Sequence, residues 1–188
     1  MNHTISRQAS AASQRGLTVI ELTISLTVAA VLMVGSYFGY QMIHSAQGQN
    51  EVRLLTQAGN CARNAYANQA SFAGVTAASL INAGCFTDAN IVRGAEGVAP
   101  TLVDGTGHAV AVSLALGPGG ENTALAFTVT GNFNTAVCTQ TMRGLLPSAS
   151  VLTVGGNDVR TLAGVVTPAA IDTGCAVDPN TFTYTVTK

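Results

Sequence analysis

Few side chains in this 188-residue chain have the types and spacing that chemistry requires. Its histidines, His3, His44 and His108, stand in no nucleophile or metal-binding motif, and we expect them at solvent or at a membrane interface. The four cysteines lie at least 24 positions apart, without the C-x-x-C pairs that are typical of zinc sites. We therefore expect no catalytic residue, no metal site and no cofactor, and a protein that is not an enzyme.

The residue that could carry a specific function is Glu21, which directly precedes an apolar stretch. No side chain from Leu22 to Ile43 carries a formal charge. A carboxylate at membrane depth costs several kcal/mol unless a cation meets it, so such a residue is a functional candidate. Cleavage after Gly16 would supply that cation, because the new α-amine of Leu17 would lie close before Glu21 in sequence. We predict that this amine, in the same chain or in a neighbouring subunit, pairs with Glu21.

The apolar stretch predicts a helix that can cross a membrane. A helix over residues 17–43 would be about 40 Å long, and a hydrocarbon core is about 30 Å thick. Residues 1–16 are polar, unlike an ordinary secretory signal, and their charges are Arg7 and Arg15, which predicts a cytoplasmic N-terminus. The simpler alternative is a signal-anchored protein in which Glu21 has no role.

The sequence from Arg15 to Leu22, RGLTVIEL, resembles the processing site of type IV pilins and pseudopilins. In that family a dedicated peptidase cuts after the glycine on the cytoplasmic side and methylates the new N-terminus. The resemblance implies cleavage after Gly16, N-methylation of Leu17 and an assembly role for Glu21. The length of the leader and the leucine at the first mature position are more similar to the type IVb branch.

The resemblance also implies a division of the chain into three parts. Residues 1–16 would be the leader peptide, 17–43 the transmembrane and assembly helix, and 44–188 an exported globular domain. The protein would span the bacterial inner membrane once, in contact with lipid, and would later enter an extracellular pilus. Its partners would be the prepilin peptidase, the inner-membrane assembly machinery and further copies of itself.

Two glycines, Gly35 and Gly39, are spaced as a small-x-x-x-small pair within the apolar stretch. Such a pair lets helices approach closely in a membrane. The alternative is that they are flexible sites on a lipid-facing helix, where they could also produce the kink for which the stretch has no proline.

The four cysteines lie beyond the apolar stretch, in the part of the chain that we expect to be exported. An even number of cysteines there predicts two disulfides, for which three pairings are possible. We favour Cys61–Cys85 with Cys138–Cys175, because each closes a local loop. The second pair also matches the carboxy-terminal disulfide loop that the resemblance to type IV pilins implies.

The rest of the sequence predicts an α+β fold. Apolar residues at helical spacing extend the long helix to about Asn68, with possible bends at Gly48 and Gly59. Further elements are predicted as a helix at 75–83, a hairpin of strands at 109–116 and 124–130, a second hairpin at 155–158 and a strand at 181–187. Residues 135–146 resemble a short helix that lies between strands in type IVb pilins. One long helix followed by runs of strands indicates an antiparallel sheet with that helix packed on it, which is the type IV pilin fold in the resemblance.

The basic residues do not indicate a nucleic-acid partner. Beyond the leader they are scattered singly along the chain, as Arg53, Arg63, Arg93, Arg143, Arg160 and Lys188. The sequence therefore favours a structural subunit of a type IVb-like pilus. The alternatives are a pseudopilin of a type II secretion machine, a minor pilin, or a membrane-anchored monomeric binding protein or enzyme. Adhesion, aggregation or conjugation would be roles of the pilus that only the resemblance suggests.

Overall fold

The computed structural model of the chain describes residues 19–94 and 99–188. By its internal contacts the chain divides into two units, Met1–Tyr40 and Gln41–Lys188. All the described residues of the first unit are helical, and the second unit contains the remainder of that helix and every other element. The cleavage junction of Gly16 and Leu17 lies outside the described residues.

Helix α1, Val19–Ala65, ends three residues before the predicted boundary at Asn68. In the second unit it buries a stripe at helical spacing, which includes Leu55, Ala58 and Ala62. Gly48 and Gly59 are the positions at which the sequence analysis allows a bend, and α1 runs through both without interruption.

A glycine is needed at position 59 for close packing rather than for flexibility of the helix. A Cβ atom at this position would lie 2.8 Å from Cγ1 of Val186, well inside van der Waals contact. Glycine therefore lets α1 lie directly against the last strand of the sheet, at a cost in helix propensity of about 1 kcal/mol relative to alanine.

Among the described residues, seven strands form one antiparallel sheet in the order β1-β2-β3-β4-β7-β5-β6. Their bounds are β1 Ile91–Val92, β2 Thr101–Val103, β3 Ala109–Gly117, β4 Gly120–Gly131, β5 Val151–Val154, β6 Asn157–Arg160 and β7 Asn180–Thr187. The predicted hairpins are present as β3–β4 and β5–β6. The last strand, β7, lies between β4 and β5, so residues distant in sequence complete the sheet.

The alternation of side chains in β7 follows the prediction from its sequence. Phe182, Tyr184 and Val186 are buried, and they form a large part of the core together with Phe127 of β4. The opposite face carries threonines that pair across strands, as Thr183 does with Thr128. Burial of alternate aromatic and β-branched side chains is the main reason why this segment is a strand.

In the described residues three shorter α-helices follow α1: α2 Ala77–Asn82 before the first strand, α3 Thr135–Leu145 between β4 and β5, and α4 Ala169–Cys175 between β6 and β7. A 3-10 helix at Asp88–Asn90 leads into β1. The side chains of Thr76 and Ser79 cap the start of α2 reciprocally, and the side chain of Asn134 caps α3. Helix α4 and the short strands β1 and β2 were not predicted. The long helix and the antiparallel sheet confirm the α+β prediction.

Candidate functional sites

The apolar part of α1 presents hydrophobic side chains that the protein itself leaves exposed. An 18-residue window of the helix has a mean hydropathy of 2.0, and none of that window is buried. Leu26, Leu32 and Ile43, for example, are each about 60% exposed. By length and composition this helix could cross a membrane, and its apolar surface could equally be covered by other protein.

The hydroxyl groups in this part of α1 are satisfied by the helix itself. Between Val19 and Ile43 the serines and threonines are Thr23, Ser25, Thr27 and Ser36, and each donates a hydrogen bond to a backbone carbonyl three or four residues earlier. The distances between oxygen atoms are 2.6–3.0 Å. A hydroxyl that already has a partner costs less to transfer from water into an apolar environment.

Glu21 lies in this same helix, in the first turn of the described part of α1. Its backbone carbonyl accepts a hydrogen bond from the hydroxyl of Ser25 at 2.8 Å, and its side chain is on the exposed helix surface. Because Leu17 lies outside the described residues, pairing of Glu21 with the Leu17 amine stays a prediction.

Gly35 and Gly39 lie on an open surface of the apolar helix. A Cβ atom at either position would have no atom within 4 Å, so neither glycine is needed for packing in the described chain. Helix α1 passes through both without a break. A role of this pair in contact with another helix stays a prediction.

Two disulfides cross-link the second unit, Gln41–Lys188, which we call the globular unit. Cys61 of α1 is bonded to Cys85, with 5.3 Å between Cα atoms, and Cys138 of α3 is bonded to Cys175 of α4, with 5.7 Å. These are the two pairs that the sequence favoured. The buried amide of Asn180 adds a further link beside the second bridge, since it bonds both the backbone N–H and the carbonyl of Phe133.

The sequence analysis missed a buried carboxyl group, Glu51, on the core side of α1. Its residue surface is 0% exposed, and Oε1 accepts a hydrogen bond from the backbone N–H of Gly105 at 3.2 Å. Within the described chain Oε2 is buried without a hydrogen-bond partner. Burial, and secondarily the nearby Asp104 carboxylate, raises the pKa of Glu51 from 4.5 to about 7, while the Gly105 hydrogen bond acts in the opposite direction. Spacing could have revealed this residue, because Glu51 is one turn before the buried Leu55.

His108 was expected at solvent or at a membrane interface, but its ring is held in a polar turn. Nδ1 lies 2.9 Å from Oδ2 of Asp104 and 2.6 Å from the hydroxyl of Thr106, while the ring packs against Phe133 with 4.3 Å between centroids. Asp104 Oδ1 also accepts hydrogen bonds from the N–H groups of Thr106 and His108. The expectation is wrong because the Asp104 carboxylate, which organises the turn between β2 and β3, holds the ring against Phe133 and away from full contact with solvent.

The arrangement at His108 does not have the geometry of a hydrolytic site. In a catalytic triad the acid and the nucleophile contact different nitrogens of the imidazole. Here Asp104 and Thr106 both contact Nδ1, so the hydroxyl is not positioned to lose its proton to Nε2. The cluster is better explained as a structural turn that docks onto Glu51 of α1 through Gly105.

The family described as PilS N terminal matches residues 44–187 of the chain. This range contains the second half of α1 and all the other described elements. No curated protein matches the chain in sequence.

The solved structures that share the fold include two type IV pilins. The type IV b pilin from Salmonella typhi has a TM-score of 0.58 and 19% identity, covering 73% of this chain and 98% of its own. TcpA, a type IV pilin from the El Tor biotype of Vibrio cholerae, has a TM-score of 0.50 and 13% identity, covering 78% of this chain and 98% of its own. At these identities the similarity identifies the type IV pilin fold.

Proposed function

The chain belongs to the PilS N-terminal family and has the type IV pilin fold, and from this premise we propose that it is the structural subunit of a type IVb-like pilus. The observation that supports this most is the exposed surface of α1 from Leu22 to Ile43, which carries no formal charge and which a folded monomer in water would not tolerate. Before assembly, lipid covers this surface of each copy in the membrane. After assembly, other copies of the chain bury it.

The same helix suits both environments for one physical reason. Its side chains are apolar, and its serine and threonine hydroxyls are bonded to its own backbone, so neither lipid nor a neighbouring helix must supply polar partners. Once the helix leaves the bilayer, burial against other helices is favoured by about 25 cal/mol per Å² of apolar surface. Polymerisation is therefore the state that covers the helix outside the membrane.

The proposal includes the orientation and maturation of the chain. Residues 1–16 lie in the cytoplasm, the peptidase cuts after Gly16 and methylates Leu17, and residues 44–188 fold on the far side of the membrane. Two disulfides in that unit agree with an oxidising compartment. The proposed role is that of a structural subunit, which needs no catalytic group, and the four cysteines are all used in the two disulfides.

Glu21 selects the position of each incoming subunit in this proposal. Its carboxylate lies on a helix surface made almost entirely of apolar side chains, where a charge gains most from an opposite charge. The α-amine that cleavage creates on Leu17 of a neighbouring copy is a cation of the right sign and depth. Pairing between copies would fix the axial register of two otherwise featureless apolar helices.

Shearing surface fibres from cells that express the chain tests the proposed function. We expect fibres in which this chain is the main protein by mass spectrometry, and no such fibres from a strain without it. A chain that stays in the membrane fraction as a monomer would contradict the proposal. A chain present only in trace amounts would instead favour a minor pilin or a pseudopilin.

A further inference from the structure

The sheet of the globular unit has one long edge that no described strand covers. Strand β2 pairs with β3 only at Ala109 and Val110, so among the described residues β3 has no neighbour on that side from Ala111 to Gly117. On its other side β3 is paired with β4 over almost its whole length. We call the segment from Ala111 to Leu116 the open edge. Its unpaired backbone is a template for an additional strand.

Backbone hydrogen bonds show which groups face the open edge. The N–H of Asp104 donates to the carbonyl of His108 at 2.9 Å, so the backbone of His108 faces the β2 side. Because this direction alternates along a strand, the N–H and C=O groups of Val112 and Leu114 face the same side, beyond the end of β2. No described residue forms a backbone hydrogen bond with these groups. An added strand would satisfy them.

The open edge lacks the features that usually protect an edge strand. From Ala109 to Gly117 the chain contains no charged residue and no proline. The opposite margin of the sheet differs, because the N–H of Thr167 donates to the carbonyl of Val159 at 2.8 Å and Arg160 forms a bridge with Val166. The chain that follows β6 therefore covers β6, whereas β3 stays available.

The side chains beside the open edge define the chemistry of a partner. Leu114, which is 38% exposed, lies on the same face of β3 as the buried Val110, and Leu116 beyond it is 58% exposed. The other face presents small side chains, such as those of Ala111 and Ser113. Directly opposed side chains of an antiparallel pair lie on the same face. An added strand therefore needs apolar residues opposite the leucines, with small or hydroxyl-bearing residues between them.

We propose that the open edge binds an extended segment of another protein, which joins the sheet as an antiparallel strand with apolar side chains at alternate positions. The unpaired backbone groups require a strand, and every described pairing in this sheet is antiparallel. Backbone hydrogen bonds supply affinity in this mode of recognition, and the alternate side chains supply specificity.

A second copy of this chain does not suit the open edge. Antiparallel pairing of β3 with β3 of another copy creates a two-fold axis through the sheet, so that contact closes a dimer. The axis would also reverse the direction of α1, which packs on the sheet where Gly59 meets Val186. Copies that leave one membrane in the same orientation cannot pair in this way within a fibre. This step rests on the proposed function.

Peptide binding to the detergent-solubilised full-length chain tests the proposal. The probe is a fluorescent peptide in which three threonines alternate with three valines between terminal lysines, and we expect saturable binding by fluorescence anisotropy. Methylation of the valine nitrogens should weaken binding by about tenfold or more, because valines opposite Leu114 direct their N–H groups at β3. Methylation of the threonine nitrogens gives an isomeric peptide whose blocked groups face away from β3, and it should bind like the unmodified probe.

Variants of the chain provide a second measurement. Leu114→Lys adds a charge at the open edge and should weaken binding of the probe by about tenfold or more. Leu162→Lys is the matched control, because Leu162 is 39% exposed and follows β6 at the other end of the strand order. It should bind the probe as the native chain does. The methylated probes are compared on the native chain, so that result does not depend on how Leu114→Lys folds.

The outcomes separate this inference from the proposed function. No saturable binding, equal effects of the two methylations, or unchanged binding to Leu114→Lys with intact disulfides would each overturn the inference. A native chain that is dimeric in detergent and monomeric as Leu114→Lys would also overturn it, because a second copy would then occupy the open edge. The measurement needs no fibres. Absence of fibres would overturn the proposed function alone, whereas fibres without binding of the probe would overturn this inference alone.

Discussion

Glu51 and Gly105 connect the long helix to the turn between β2 and β3, because Oε1 of the carboxyl group accepts the backbone N–H at 3.2 Å. The turn is itself built around Asp104, whose carboxylate raises the pKa of Glu51 further. A titratable group is thus placed where α1 and the sheet edge meet, outside the segment that we expect to span the membrane. The stability of the globular unit should depend on its protonation.

Glu51→Gln tests that dependence. The folded chain holds the Glu51 proton until about pH 7, whereas the unfolded chain releases it near 4.5. The free energy of unfolding should therefore fall as the pH rises between these values, by roughly 3 kcal/mol. Glutamine keeps the hydrogen-bond acceptor for the Gly105 N–H and does not ionise. The free energy of unfolding of Glu51→Gln, relative to that of the native chain, should therefore be about 3 kcal/mol larger at pH 8 than at pH 4.

Denaturant unfolding of the detergent-solubilised chain measures this difference. Glu121→Gln, at an exposed position next to the β3–β4 turn, is the matched control and should follow the native chain at both pH values. An identical pH dependence of the native chain and Glu51→Gln would contradict the role assigned to Glu51.

The carboxy-terminal disulfide should contribute strongly to stability. Cys138 and Cys175 enclose 37 positions, and in the chain-entropy model a loop of this size stabilises by roughly 3–4 kcal/mol. The double substitution Cys138→Ala and Cys175→Ala leaves no polar atom in the core and should lower the free energy of unfolding by about that amount. Non-reducing peptide mapping of the native chain checks the pairing, and a Cys61–Cys138 peptide would show that both assigned bridges are wrong.

Several elements could be predicted from the sequence because local pattern and tertiary role agree. In β7 the alternation of Phe182 and Tyr184 with threonines is also the burial pattern of the strand. Glycines in the β3–β4 and β5–β6 turns gave both hairpins. The apolar stretch predicted the first part of α1. The candidate role of Glu21 came from the resemblance of RGLTVIEL to a pilin processing site, and no contact in the second unit of the structure bears on it.

Other elements depend on contacts that no local pattern contains. Strands β1 and β2 have two and three residues. Strand β2 exists because β3 supplies a pairing edge, and β1 in turn pairs with β2. Helix α4 includes Thr173 and Gly174, which are poor helix formers, and is held by burial of Ile171 and by the Cys175 bridge. Arg53 of α1 and Arg143 of α3 likewise line one groove although they lie ninety positions apart in the sequence, so only the fold brings them together.

Processing at the predicted junction can be tested by Gly16→Val. The branched side chain should prevent cleavage, and the chain should be about 1.7 kDa heavier than the mature form, at about 110 Da per leader residue. Intact-mass spectrometry of the membrane fraction measures this. A product of mature mass from the variant would refute cleavage after Gly16.

Glu21→Ala separates assembly from membrane insertion. Removing a charge favours the bilayer, so the variant should still be inserted and still be cut after Gly16. As the only copy it should form few or no fibres, whereas Glu121→Ala should form them normally. Normal fibre yield from mature Glu21→Ala would remove the proposed pairing with the Leu17 amine.

The central claim is that copies of this chain assemble through the apolar part of α1. A density reconstruction of sheared fibres, at a resolution that separates helices, measures this directly. We expect the segments from Val19 to Ile43 of many copies to pack against one another in the fibre centre, with the globular units outside. A fibre whose copies touch only through their globular units, with these segments absent from the centre, would contradict the account.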